Sequence, residues 1–268
     1  MFLRKILNPI KAERRDTPAT RNVKILKDDT FLVSYPKSGN TWLRFIIANL
    51  LVEDSERVTL SGLEDIVPDI YRNSNEKLSL ISRPRILKSH EPFNHRYQKV
   101  IYIVRDPRDV AVSYYHHLIK ARRIDEDYSL EKWVQDFLVG KFNSKFGTWR
   151  EHVGSWTGAR KESPDFLLIS YEQLLGNSLD TVKKVSSFLH LDLPETKLQA
   201  AIDLSSVDRM RKIEIQENWQ PNKGDMRTDK RFIRSGKSGG WRDELPPEYS
   251  ARISEKWQST IRELGYPV

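Results

Sequence analysis

Apolar positions along the chain fall into two recurrent patterns. Short continuous runs bounded by proline, glycine or charge read as buried strands, and runs with apolar residues three or four apart read as helices packed on one face. Phe31-Leu32-Val33-Ser34-Tyr35, closed by Pro36, is a run of the first kind, and residues 85–88, 100–104 and 166–170 repeat it. After the first run, residues 41–51 set Trp42, Phe45, Ile46, Asn49 and Leu50 at helical spacing, with Asn40 or Thr41 placed to cap the helix. After the third, Arg105-Asp106-Pro107-Arg108-Asp109 opens a helix that reaches about Lys120, with proline in the first turn where a missing N–H costs nothing. Further helices are expected at 130–138, 146–160, 179–189, 195–202 and 247–264. Strands alternating with helices predict an α/β fold of three layers, a central, mostly parallel sheet flanked by helices.

Charge changes the picture by its location. The 268 residues carry 45 Lys and Arg against 37 Asp and Glu, a formal net charge of +8. Residues 1–27 hold eight basic and two acidic side chains, residues 205–242 hold ten and five, and the rest of the chain is slightly acidic. This suits a basic N-terminal arm (1–27) on a domain over 28–268 with one anion-binding segment, and equally a nucleic-acid-binding domain. The absence of cysteine excludes disulfides, thiolate metal sites and a Cys nucleophile. The longest apolar stretch, residues 42–52, is interrupted by Arg44 and Asn49 and is too short to cross a bilayer. The N-terminus lacks the apolar core and cleavage site of a secretory signal, so a cytoplasmic location is expected, with contact of the arm on an anionic membrane surface as its alternative. Residues 216–230, polar and charged, are expected to form a mobile loop.

Three segments carry candidate chemistry. Tyr35-Pro36-Lys37-Ser38-Gly39-Asn40-Thr41-Trp42 lies between a strand and a helix, where a glycine turn aims backbone N–H groups at an anion and the helix dipole favours negative charge. Lys37 precedes the glycine, unlike the lysine of the ATPase phosphate loop, and a plain tight turn with a solvated lysine is an equal reading. Arg105 sits at a strand's C-terminal end, and Ser113 lies eight residues, about two helical turns, further on; together they suit a second phosphate. The plainer alternative pairs Arg105 with Asp109. Arg231-Phe232-Ile233-Arg234-Ser235-Gly236-Lys237-Ser238-Gly239-Gly240-Trp241-Arg242 combines glycine turns with basic side chains, suiting either a flap over an anion or an ordinary basic loop.

Together these segments resemble the sulfotransferases that use 3′-phosphoadenosine 5′-phosphosulfate (PAPS), especially the soluble cytosolic type, over nearly the whole chain after about residue 28. Leu87-Lys88-Ser89-His90-Glu91-Pro92, Phe146-Gly147-Thr148-Trp149-Arg150-Glu151-His152-Val153 and Ser170-Tyr171-Glu172-Gln173-Leu174 match family patterns in the same order. The resemblance implies a single P-loop-like domain. It implies that Lys37, Ser38, Gly39, Asn40 and Thr41 hold the 5′-phosphosulfate and that Trp42 stacks on adenine. Arg105, Ser113, Arg234 and Gly236 would hold the 3′-phosphate and Tyr171 the adenine, with Ser206, Phe232 and Ser235 also on the donor. His90 would be the general base, a role that suits an imidazole titrating near neutrality. Lys37 would neutralise the leaving phosphate oxygen, with Lys88 and Ser113 as neighbours that steady the sulfuryl group or restrain Lys37. His95, His116, His117, His152 and His190 stay unassigned.

The implied reaction moves a sulfuryl group from PAPS to a hydroxyl or amine of a small-molecule, lipid or sugar acceptor, releases PAP, requires no metal and involves no nucleic-acid partner. Asn40 departs from a common Thr, Ser235 from a flap Lys and Gly240 from an Asp. The dimer signature that usually follows the flap is absent, so that dimer is not expected. A nucleotide-kinase-like phosphoryl transferase needing Mg²⁺ and a non-catalytic module binding nucleotide or polyanion are the alternatives. The acceptor is expected near 54–83, 121–128 and 216–230, with Phe93, Tyr115, Phe142 and Trp219 as candidate aromatic linings.

Overall fold

The computed structural model describes residues 23–53, 58–219 and 226–268. Most of the basic arm and the middle of the 216–230 loop therefore lie outside the described residues. In chain order the elements are β1 (Thr30–Val33), α1 (Asn40–Leu51), the short α2 (Leu63–Ile66) and α3 (Asn75–Ser79), β2 (Ile86–Ser89), β3 (Lys99–Val104), α4 (Pro107–Lys120), α5 (Leu130–Leu138) and α6 (Trp149–Arg160). They continue with β4 (Phe166–Ser170), α7 (Tyr171–Gly176), α8 (Ser178–Phe188), α9 (Glu195–Leu204), α10 (Val207–Gln216), α11 (Trp241–Glu244), α12 (Pro247–Lys256) and α13 (Gln258–Glu263).

The four strands form one sheet, ordered β2-β1-β3-β4 and parallel throughout. Side chains alternate across a strand, and the two apolar cores sort by this parity. Phe31, Val33, Leu87, Val100, Tyr102, Val104 and Phe166 face one core, filled by α4, α5, α6, α12 and α13. Leu32, Ile86, Ile101, Ile103 and Ile169 face the other, filled by α1, α8 and α9. Both faces being covered explains why the strands read as unbroken apolar runs. Trp133, Trp149 and Trp156 are completely buried, and truncating any of them to Ala costs about 3–5 kcal/mol.

The structure corrects several boundaries. Neither Asn40 nor Thr41 caps α1: the cap is Gly39 in left-handed geometry (φ 96°), with no side-chain cap. Asn40 instead donates through Nδ2 to the Leu32 carbonyl (3.4 Å) and to Ser34 Oγ (3.1 Å). The helix expected from 146 begins at Trp149, because Gly147 has φ 74° and Thr148 caps with a reciprocal box to Glu151. The single helix expected over 247–264 breaks at Trp257, whose indole stacks on Trp149 at 5.5 Å. Helix α10, within the basic segment, was not expected from the sequence.

Candidate active site

A parallel sheet places all its strand C-termini on one edge, and here each delivers a site residue. His90 follows β2, the Lys37–Trp42 loop follows β1, Arg105 follows β3 and Tyr171 follows β4. The strand order therefore lays these groups out in a row. The chain runs from β1 toward β2 on one side and toward β3 on the other, so the loop and Arg105 flank the crevice where open α/β sheets bind ligands. A cavity of about 390 Å³ opens there, and Lys37, His90, Arg105 and Arg234 all reach it.

The loop's form follows from its backbone. Lys37 (φ 72°) and Gly39 (φ 96°) are left-handed, and a Cβ on Gly39 would stand 2.5 Å from Tyr171 Cδ2. Asn40 and Thr41, in the first turn of α1, have N–H groups with no carbonyl behind them. Ser38 Oγ, beneath the loop, is buried without a partner. Lys37 Nζ lies 4.7 Å over the Phe232 ring, and burial together with the charges of Arg105, Arg234 and Lys120 pulls its pKa down to about 8.

The second anion site is built around Arg105. Its guanidinium lies 4.2 Å over the Tyr171 ring and donates to the Lys237 carbonyl (2.7 Å), while Nε is buried without a partner. The Arg105–Asp109 pair foreseen as the plain alternative is present at 3.8 Å, yet Asp109 does more than cap. Its carboxylate accepts the N–H groups of Gly239 (2.7 Å) and Trp241 (3.1 Å), tying the 231–242 segment to α4. Glu214 on α10 accepts Phe232 N–H (2.5 Å) and Ile233 N–H (3.0 Å), and Arg211 donates to the Ile233 and Arg234 carbonyls. Arg234 pairs with Glu244 at 2.6 Å, which also holds His116 at 2.6 Å. Gly236 (φ 67°) packs so closely on α10 that a Cβ would meet Val207 Cγ2 at 2.3 Å.

At the other end of the row, the β1–β2 register sets Ser34 beside His90. His90 Nδ1 donates to the Ser34 carbonyl (2.7 Å), which leaves Nε2 as the lone-pair nitrogen. Burial and the Lys88 charge hold the His90 pKa well below its ordinary value, so the ring is neutral. Its backbone is pinned as well. His90 N–H donates to Tyr71 Oη (3.2 Å), and the His90 carbonyl accepts from His152 Nε2 (2.9 Å), whose Nδ1 accepts from Tyr102 Oη (2.8 Å). Burial pulls His152 down to about 4, so it serves as a neutral strut. Lys88 is committed to Asp69 (2.8 Å). Burial pushes the Asp69 carboxyl up, but Lys88, Arg44 and Arg72 outweigh it and hold its pKa well below the carboxylate range.

Most of the expected residues converge. Lys37, Gly39, Asn40, Thr41, Trp42, Lys88, His90, Arg105, Ser113, Tyr171, Phe232, Arg234, Ser235 and Gly236 line one cavity. Trp42 and Tyr171 meet edge to face at 5.3 Å. Ser38 is fully buried beneath the loop and Ser206 is exposed at the start of α10; both lie outside the lining, although Val207 beside Ser206 takes part. Of the aromatic candidates only Trp219 lines the cavity; Phe93 packs on Trp156, Tyr115 donates to the Tyr128 carbonyl and Phe142 packs on Trp133. No residue of 121–128 lines it. The sequence reading missed Tyr114, His117 and Asn143 as lining residues, and Asp69, Tyr71 and His152 as supports. His152 had a signal, since it lies inside a quoted motif; the others depend on tertiary contacts. Among the described residues no cluster of His, Asp or Glu is placed to hold a metal ion, and no helix is long and apolar enough to cross a membrane.

Two cationic clusters on adjacent strand tips, with an aromatic pair beside one and a neutral imidazole beside the other, suit a nucleotide-dependent group transferase. The residues fit such a nucleotide: the unpartnered Nε of Arg105, which lines the cavity, and the first-turn amides of α1 can donate to anionic oxygens. The sulfotransferase domain model matches residues 27–265. The chain is 32% identical over 254 residues to the 3-beta-hydroxysteroid sulfotransferase of Cavia porcellus, covering 91% of this chain and 86% of that protein. It is 33% identical over 256 residues to sulfotransferase 1B1 of Mus musculus, covering 88% and 85%. The mouse sulfotransferase SULT7A1 complexed with PAP shares the fold, with TM-score 0.70, 24% identity and coverage of 90% and 87%. So does a retinol dehydratase in complex with androsterone and PAP, with TM-score 0.70, 20% identity and coverage of 93% and 84%. The chain belongs to the sulfotransferase family and is a PAPS-dependent enzyme.

Proposed function

We propose that the enzyme moves the sulfuryl group of PAPS in line onto a hydroxyl of a small acceptor, with His90 as general base. The observation that carries this reading is that His90 and Lys37 face one cavity from adjacent strand tips, His90 with its proton locked on Nδ1 and Lys37 beside Arg105. His90 Nε2 takes the acceptor proton as the new O–S bond forms. Lys37 meets the negative charge that grows on the phosphate oxygen as the old S–O bond breaks. Arg105, Ser113, Arg234 and the Gly236 turn would grip the 3′-phosphate, and Trp42 and Tyr171 the adenine, so that positioning supplies much of the rate. Lys88 acts through Asp69, fixing the wall beside His90.

The test is transfer of label from radioactive PAPS across a panel of alcohols, phenols and amines, with and without a metal chelator, in wild type and His90→Ala. Metal-independent transfer is expected, lowered roughly 10²–10⁴-fold in the variant, with PAP binding retained. Unimpaired turnover by His90→Ala would remove the base; dependence on Mg²⁺ would favour a phosphoryl transferase.

A further inference from the structure

The cavity wall beyond Lys37 holds a polar group that the donor reading does not use. His117 lies one turn beyond Ser113 on α4, farther from the strand tips. Its ring lines the cavity between Tyr114, at 6.2 Å and nearly parallel, and Phe232, at 6.3 Å and edge on. Its Nδ1 is buried with no hydrogen-bond partner, a rare condition for a side chain inside a folded protein. Phe146, which packs on His90 at 5.9 Å, lines the same cavity, as do Asn143 and Trp219. This wall therefore joins the base to His117 and is part aromatic and part hydrogen-bonding.

We infer that His117 is a specificity residue that receives a second hydroxyl of the acceptor, which makes the acceptor a ring compound carrying at least two hydroxyl groups. The inference rests on the assignment of His90 as the base, since the first hydroxyl is the one that reacts there. A neutral imidazole has one N–H and one lone pair, and a hydroxyl satisfies either. Burial and the charges of Lys37, Lys120 and Arg123 hold the His117 pKa well below its ordinary value, so the ring offers no cation to a carboxylate or sulfate. Phe146 and Trp219 offer faces for the ring of the acceptor.

The test uses matched pairs: cyclohexanol against the cyclohexanediols and inositol, and phenol against catechol and resorcinol. Wild type and His117→Phe are compared by kcat/KM and by calorimetric binding of each compound to PAP-saturated protein. Wild type is expected to prefer the dihydroxy members by on the order of tenfold, in both readouts, with the ratio collapsing toward one in His117→Phe and partly restored in His117→Asn. PAP affinity in the variants reports folding. An unchanged ratio in His117→Phe, no binding of any dihydroxy compound by wild type, or a variant that binds PAP and diol yet turns over nothing would each overturn the inference. Failure of wild type to bind PAP would instead overturn the donor reading beneath it.

Discussion

The loop after β1 and the flap at 231–242 would grip the two ends of one nucleotide, but they are held in opposite ways. The loop is fixed by local backbone: the strand before it, the helix after it and left-handed turns at Lys37 and Gly39. The flap has little regular structure before α11 and is held from outside by Asp109 and Arg105 near the start of α4 and by Arg211 and Glu214 on α10. Its conformation is a property of those helices. An anion site can thus be written into a few adjacent residues or distributed over side chains a hundred positions apart.

Breaking the local site should have the largest effect. Gly39→Ala forces a Cβ against the Tyr171 ring on a backbone that L-residues avoid, and should cost about 1–3 kcal/mol of stability and abolish PAP uptake. Denaturant midpoints and calorimetry check both; normal PAP binding would show that the loop is not the cradle.

The next effect follows from pH. The proposed mechanism uses Lys37 as an ammonium, and its pKa is lowered to about 8, so kcat/KM for the donor should hold at neutral pH and fall as pH rises through about 8. Anionic donor beside the ammonium favours its charged form, so the kcat limb should lie at higher pH. On the acid side, the depressed pKa of His90 keeps its Nε2 unprotonated until well below the usual histidine range. A profile that rises through pH 8, or an acid limb at the ordinary histidine pKa, would contradict these roles.

The smallest effect tests the flap. Ser235 lines the cavity beside Arg234, and Ser235→Lys should tighten PAP binding by several-fold at low salt, an increment that fades as salt screens it. No change at low ionic strength would place residue 235 away from the nucleotide.

The contrast also explains what could be read from the sequence. The four strands and the loop-helix junction were legible because burial on both faces writes continuous apolar runs and because glycine marks the turn. The pairing Arg105–Asp109 was foreseen, but the grip of Asp109 on Gly239 and Trp241 was not, since no local pattern joins residues 130 positions apart. The cap of α1 was misread because Asn40, a good capping type, is turned inward onto Leu32 and Ser34. His117 was passed over because a histidine on a helix face carries no signal until the fold closes a cavity around it.

The central claim is that loop and flap bind one nucleotide by its two phosphate ends. Calorimetric comparison of PAP with adenosine 5′-phosphate, which lacks the 3′-phosphate, in wild type and Asp109→Ala tests it most directly. The account predicts that wild type favours PAP by on the order of 100-fold, through charge-assisted contacts from Arg105 and Arg234, and that Asp109→Ala loses most of that preference while still binding adenosine 5′-phosphate. Equal affinity of wild type for the two nucleotides, or an undiminished preference in the variant, would contradict it.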